Sequence, residues 1–435
     1  MAEPMDASDS DVEVEASAED QEAIMNIEEK LKANPYQLKL HKKYIELLRK
    51  VKLARRLRSA RQALRELFPL SLEMWQQWIE DESAALKERG VGKEGEDSDD
   101  DEEVEEDKEL LVELYEAATA EYLSVELWLS FLRFVVTVNT SEGEMSEEGV
   151  GVVREVGEKA LHAAGMHLPE GGKLWDAVIA YEQGLLEAGW EPGKQMDRVR
   201  TLYHRRLAVP LFGMKDTMEA YAQWEAANGS EQVAAPKHIQ KAHESALAML
   251  DVRAPLEEKL AAEGASEEAV ANTLLAYLRV EEATGDSARI VTLFERALVA
   301  IPSRLDIWSR YLNYSEENIK VSATVCSICR RAAYAVSSSG LMWARYLAAA
   351  ERAGASAEEV ADIYHRAMST KLKGAGEYLE VVLARCDFLR RQGSVEALRS
   401  AFKTGQEKVS AVDAKFCDPQ LRLPAYQAHC ELQMG

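Results

Sequence analysis

GDSARIVTLFERALVAIPSRLDIWSRYLNYSEENIKVSATVCSICRRAAYAVSSSGLMWARYLAAAERAG, residues 285–354, holds a short unit that begins and then begins again. Trp308 opens a helical pattern with Tyr311, Leu312 and Ser315 at offsets of three, four and seven. Thirty-five residues on, Trp343 opens another, with Tyr346, Leu347 and Ala350 at the same offsets. That spacing places the aromatic residues on one face of a helix. Upstream, Ile290, Val291, Phe294, Ala297 and Leu298 line a second kind of helix, which stops at Pro302. A helix pair recurring every ~34 residues is the signature of a stacked α-helical array.

Working outward, the same alternation covers most of the chain. Toward the N-terminus, first helices open at Trp75, Trp128, Trp175 and Met218, and a still earlier pair joins Leu40, Tyr44, Leu47 and Leu48 to Leu57, Ala60, Leu64 and Phe68. Past residue 252 a further helix is expected at about 255–263, where the cadence stretches to the next opening at Leu274. Beyond the quoted stretch a ninth pair opens around Val382, and a tenth first helix begins near Leu423. Gly285, Gly354 and Gly393 stand where first helices end, because glycine accepts the left-handed conformation after a helix. Asp286 or Ser287, Ser356 and Ser394 supply caps for the helices that follow, and Ser356 with Glu359 spells a capping box. Pro69, Pro210 and Pro302 close second helices. The expectation is an all-α solenoid of about nine antiparallel helix pairs. Its repeat core includes Trp75, Trp128, Trp175, Phe294, Trp308, Tyr311, Trp343 and Tyr346. The constant position of the indoles in the repeat makes them packing residues rather than base-stacking platforms.

Charge divides the chain further. Residues 1–22 hold nine acids and no Lys or Arg, and residues 92–107 hold eleven acids against Lys93. Both segments read as solvated and disordered, the second as an insertion in the turn of a helix pair. The expected organisation is an acidic tail at 1–22, an N-terminal sub-array at 23–252 carrying the 92–107 insertion, and a C-terminal sub-array at 253–435. With a net charge of −24, general affinity for nucleic acid is disfavoured. One basic strip stands out on a second helix, formed by Arg55, Arg58, Arg61 and Arg65, and would dock acidic partners or RNA.

The five cysteines follow no framework spacing, and no run approaches a membrane-spanning length, so an intracellular chain that enters no membrane is expected. No phosphate-binding glycine loop, dinucleotide fingerprint, zinc-protease motif or nucleophile elbow occurs. Cys326 and Cys329 share a helix face without a second ligand pair, and His162 and His167 flank Gly165 with no partnering pattern. Neither pair reads as a metal site. Neither a cofactor nor enzymatic chemistry is expected.

An aromatic W-x-x-[YFW] helix followed by an A-R-x-x-x-x-[FY]-E-R-A-L helix resembles the HAT (half-a-TPR) repeat, and SARIVTLFERALVAIP with DIWSRYLNYSEE is its fullest match. Met218, Leu274, Val382 and Arg385 stand where the pattern calls for aromatics. RELFPLSLEMWQQWIEDE, ALHAAGMHLPEGGKLWDA and HRRLAVPLFGM, in that order, are similar to the N-terminal half of the U4/U6 snRNP recycling factors. That resemblance implies an RNA-processing scaffold of the nucleus that binds ubiquitin-specific proteases, histones and U4/U6 snRNP components. It also implies a longer array followed by RRM domains. No RNP1-like pattern occurs within these 435 residues, which end inside the array, so RNA annealing does not carry over and a chiefly monomeric chain is expected. The other reading is direct RNA binding by a helical-repeat protein of pre-mRNA or rRNA processing, through residues 55–65 and Arg205 with Arg206.

Overall fold

A computed structural model describes residues 17–90, 98–140, 146–228, 235–262, 264 and 266–434. Among them every regular element is helical. Helix α1 (Ala18–Ala33) precedes nine pairs. These are α2 (Leu38–Val51) with α3 (Ala54–Leu67), α4 (Leu72–Gly90) with α5 (Ser98–Glu121), and α6 (Val125–Asn139) with α7 (Glu147–Ala164). Then come α8 (Gly171–Glu187) with α9 (Pro192–Leu207), α10 (Met214–Ala227) with α11 (Lys237–Leu260), and α12 (Glu267–Thr284) with α13 (Ser287–Ala300). The last three are α14 (Leu305–Tyr314) with α15 (Ser322–Ala335), α16 (Gly340–Arg352) with α17 (Ala357–Ser369), and α18 (Ala375–Gln392) with α19 (Val395–Val412). Helix α20 (Arg422–Met434) follows.

The helices group into two compact units. One is Leu72–Ile307. The other joins the described residues of Met1–Ser71 to Trp308–Gly435. In the first, α6 packs on both α7 and α8, and α9 on α8, α10 and α11. In the second, α16 packs on α15, α17 and α18, and α18 also touches α19 and α20. Contact of each helix with its pair partner and with the next repeat is what a solenoid requires, since no pair buries its apolar stripe alone.

The local chemistry that sets these boundaries is visible. Gly285, Gly354 and Gly393 sit at φ of 74°, 88° and 73°, ending α12, α16 and α18. Asp286 accepts from the Ala288 and Arg289 amides, and Ser356 with Glu359 completes the capping box. Ser394 sits at the N-cap of α19 without a side-chain cap bond. Glu377 caps across a repeat boundary: its Oε2 accepts the Gly340 N–H at 2.6 Å, at the start of α16.

Three expectations are corrected. Residues 98–107, expected to be disordered, form the start of α5, while 92–97 lie outside the described residues. Once the packed part of α5 has nucleated, each further residue adds one backbone hydrogen bond, so the helix extends back into the acidic stretch. Likewise the acidic tail ends sooner than 22. Ser17 caps α1 by accepting from the Asp20 amide, Glu19 and Asp20 occupy the first turn, and residues 1–16 lie outside the description. No separate helix spans 255–263, because α11 continues to Leu260 with Pro255 inside it. Ion pairs on both sides of that proline, from Arg253 and Glu257, hold the helix to its neighbours.

Candidate protein interface

In the Leu72–Ile307 unit every first helix except α6, where Val135 takes the place, carries a glutamate seven residues after the position that opens it. Glu182 follows Trp175, Glu225 follows Met218, and Glu281 follows Leu274. Each is buried, and each receives an arginine from the second helix of the preceding pair. Arg154 of α7 donates to Glu182 at 2.9 and 3.0 Å. Arg200 of α9 donates to Glu225 at 2.6 and 3.1 Å, and Arg253 of α11 to Glu281 at 2.6 and 2.7 Å. A two-pronged guanidinium–carboxylate bond fixes distance and angle together, so these pairs set the register of one repeat on the next. The bond to Glu225 raises the Arg200 pKa, and that to Glu281 raises the Arg253 pKa.

Additional polar groups saturate the buried carboxylates. Gln195 of α9 donates to the Glu182 carboxylate at 2.5 Å and to its carbonyl at 2.6 Å, while accepting from Arg154 at 2.8 Å. Tyr221 donates to Glu225 at 2.9 Å and lies 3.0 Å from His204 Nε2. Burial first, and then the bond to Glu225, pushes the Tyr221 phenol up to about 12. Full satisfaction is what lets such charges stay inside.

Beside the Arg154–Glu182–Gln195 network lies a groove of ≈ 400 Å³ lined by α6, α7, α8 and α9. Leu132, Val153, Val178 and Leu202 give it apolar walls, and Tyr181 stands half-buried in it. Burial raises the Tyr181 pKa, with Glu182 adding to the rise. At Gly157, which also lines it, a Cβ would come into ordinary contact with Val178 Cγ2 at 3.4 Å. One rim is the Arg205–Glu158 pair at 2.7 and 2.9 Å, whose bond lowers the Glu158 pKa. Arg205 also lies 5.3 Å from the Trp175 ring. Arg198 is exposed at the edge and makes no ion pair among the described residues. Apolar walls with convergent polar groups suit a peptide segment.

In the second unit the acids come one residue later and bond from first helix to first helix. Glu316, eight after Trp308, accepts from Arg345 at 2.7 Å and Arg352 at 2.9 Å. Glu351, eight after Trp343, accepts from Arg391 at 2.8 and 2.6 Å. A π-helical turn, Ser315–Ile319, follows α14, and Ser315 is fully buried with its hydroxyl donating to the Tyr311 carbonyl at 2.7 Å.

Of the residues singled out by sequence, Trp75, Trp128, Trp175, Phe294, Trp308, Tyr311 and Trp343 are all buried. Two of the indoles donate to backbone carbonyls, Trp175 to Gly165 at 3.1 Å and Trp343 to Ser337 at 3.0 Å, whereas the buried Trp128 Nε1–H has no hydrogen-bond partner among the described residues. Tyr346 is only half-buried, and burial still pushes its phenol up to about 12. The four arginines of α3 do not make one exposed strip. Arg55 is exposed, Arg58 and Arg65 are half-buried, and Arg61 is 3% exposed. The reason is positional: Arg61 adjoins Ala60 on the inward stripe with Leu57 and Leu64. Among the described residues no group of His, Cys, Asp and Glu could hold a metal ion, and no helix is long and apolar enough to cross a membrane. The Arg–Glu pairs escaped the sequence reading, although a carboxylate seven residues past the opening position, at Glu82, Glu182, Glu225 and Glu281, was there to be seen.

Comparison with known proteins gives two family matches. The pattern of the suppressor of forked protein covers residues 22–249, and the N-terminal HAT repeat of PRP39 covers 273–382. The chain is 31% identical over 392 residues to the mouse protein described as spliceosome associated factor 3, U4/U6 recycling protein, and 30% identical to its human counterpart. Each alignment takes in 88% of this chain and 37% of the relative, so the chain spans little more than a third of the relatives' length. It is 24% identical over 191 residues to the mRNA 3′-end-processing protein rna14 of Emericella nidulans, covering 42% of this chain and 16% of that protein. The crystal structure of CstF-77 superposes with a TM-score of 0.43 at 12% identity, over 78% of this chain and 74% of that one.

Proposed function

The chain belongs to the suppressor of forked family, and from that premise we propose that it is a non-enzymatic protein-docking scaffold of pre-mRNA splicing, acting in the nucleus on U4/U6 snRNP assembly. The observation that carries this reading is the groove over α7, α8 and α9, a channel with apolar walls and a charged rim, held in register by the buried Arg154–Glu182 pair. A scaffold needs such rigid, shape-specific concavities and no reacting groups. The 30–31% identity to U4/U6 recycling proteins supports partners in that particle, and the resemblance to those recycling factors suggests ubiquitin-specific proteases and histones as well.

The test is binding of the purified chain to U4/U6 snRNP proteins, a ubiquitin-specific protease and core histones, compared with Tyr181→Ala and Arg198→Glu variants whose helical content is unchanged. At least one partner should bind the native chain and lose tenfold or more with both variants. Equal binding by the variants would remove the groove from the account, and no binding to the native chain would remove the scaffold reading.

A further inference from the structure

Charge is distributed between the two units in opposite senses. Residues 72–307 hold 49 acids against 22 Lys and Arg, whereas the rest of the chain holds 27 acids against 30. The positive charge concentrates in the α2–α3 hairpin, where residues 38–65 carry eleven Lys and Arg and Glu46 alone opposes them. On α2 the segregation is complete. His41, Ile45, Leu48 and Val51 are buried, while Lys39, Lys42, Lys43, Glu46, Arg49 and Lys50 are exposed. At 3.6 residues per turn those six occupy an arc of about 120°, and Lys39 to Lys50 runs about 16 Å along the axis. The face continues through Lys52, at φ 60° in the turn, to Arg55 and Arg56 in the first turn of α3.

Two features separate this face from an ordinary solvated one. Lys50 pairs with Asp20 and Arg56 with Glu28, but Lys39, Lys42, Lys43 and Lys52 have no ion-pair partner among the described residues. The hairpin also places cations against the helix dipoles. Neither α2 nor α3 has an acid in its first turn, and Lys39, Arg55 and Arg56 stand there instead, an arrangement that opposes helix formation. Folding does not ask for this charge.

We infer that the α2–α3 hairpin binds the phosphodiester backbone of a nucleic acid, without reading bases. Lysines three and four residues apart hold their stems about 5–6 Å from one another, a spacing suited to successive phosphates. Protein interfaces, in contrast, are built on apolar and aromatic anchors and are depleted in lysine. Between Lys39 and Lys50 the exposed face offers no apolar anchor at all. This surface lies on a different unit from the groove over α7–α9 and does not depend on it.

The experiment measures binding of a fluorescein-labelled U20 oligoribonucleotide to the full chain from 25 to 200 mM salt. The native chain should bind with log K falling linearly against log salt, and dT20 should bind within a few-fold. The triple variant Lys39→Gln, Lys42→Gln, Lys43→Gln should bind at least tenfold more weakly at 50 mM salt. Its slope should be smaller by about 2, three contacts at about 0.7 each. Exchanging Lys215, Lys237 and Lys241 for Gln should change neither quantity. All these lysines are exposed, so the helical signal should be preserved throughout. The inference is overturned if U20 does not bind, if the α2 variant binds like the native chain, if U20 is preferred to dT20 by tenfold or more, or if a polyglutamate peptide of equal charge binds as tightly. The last result would make the face a dock for acidic protein. Loss of U20 binding leaves the protein-docking reading untouched, because the groove variants are scored on protein partners alone.

Discussion

Arg253 and Glu281 form a two-pronged ion pair in which both side chains are all but excluded from solvent, at 2% and 3% exposure. Replacing Glu281 with Leu strands a buried guanidinium and should cost about 3–5 kcal/mol. Arg253→Met should cost less, because Arg289 Nε lies 3.6 Å from the same carboxylate and remains to balance it. The double exchange should recover most of the loss, since a pair of well-packed apolar groups is commonly neutral against the ion pair it replaces. Amide exchange in α11 and α12 reads the local stability, which suits an array better than a single global midpoint. Equal costs for the two single variants would show that Arg289 plays no part.

Glycines provide a matched contrast. A Cβ on Gly340 would overlap the Glu377 carbonyl oxygen, and one on Gly405 the Val382 side chain, whereas one on Gly184, within α8, would meet nothing within 4 Å. Gly340→Ala must therefore move α18 away from α16, and should destabilise by about 1–3 kcal/mol. Gly184→Ala should instead stabilise by roughly 0.5–1 kcal/mol by removing backbone freedom from the unfolded chain. Urea titrations of the two variants should shift in opposite directions.

The repeat pattern was legible because its markers are local. Trp308 with Tyr311, Gly285 before Asp286, and Pro302 after α13 each declare a helix face or end within a few residues. What stayed hidden depends on partners far apart in sequence. Nothing near Arg154 names Glu182 as its counter-ion, 28 residues on, and Met218 and Leu274 disguised the openings from which Glu225 and Glu281 are counted. Charge density alone also misjudged residues 98–107, because it omits the cheap propagation of a helix already nucleated by the packed part of α5. On α3 the run of arginines suggested a strip, but helical phase turns Arg61 inward. Lysines without an ion-pair partner among the described residues, Lys39, Lys42 and Lys43, stand on α2 instead, on the side opposite the core.

Cysteine reactivity should follow burial rather than sequence spacing. Cys417 is exposed and Cys326 half-buried, while Cys329, Cys386 and Cys430 are buried. Burial pushes the Cys329 and Cys386 thiols up to about 12, so thiolate is scarce as well as inaccessible at neutral pH. Iodoacetamide on the native chain should label Cys417 first and Cys326 slowly, with the other three modified only after denaturation. Rapid labelling of Cys329 alongside Cys326 would show that α15 opens readily, which close packing of α15 on α16 opposes.

The pH dependence of the Leu72–Ile307 unit should carry a signature of His167. Burial first, and then the positive charge of Arg296, lowers its pKa from 6.5 to about 4, with Glu170 and Glu257 opposing the shift. The ring is therefore neutral in the folded chain at pH 7, where its Nδ1 accepts the Glu170 N–H at 3.3 Å. Unfolding frees the imidazole to take up a proton at its ordinary pKa. Stability contributed by the neutral ring is then complete above pH 6.5, falls as pH drops through the interval from 6.5 to 4, and is lost below that. The loss should be on the order of 3–4 kcal/mol, given about 1.4 kcal/mol for each unit between the two pKa values. His167→Asn keeps an acceptor for the Glu170 amide but cannot titrate, so its stability should fall less steeply between pH 6.5 and pH 4. A slope identical to that of the native chain would mean that His167 is protonated as readily folded as unfolded, and that the acid sensitivity of this unit belongs to its carboxylates.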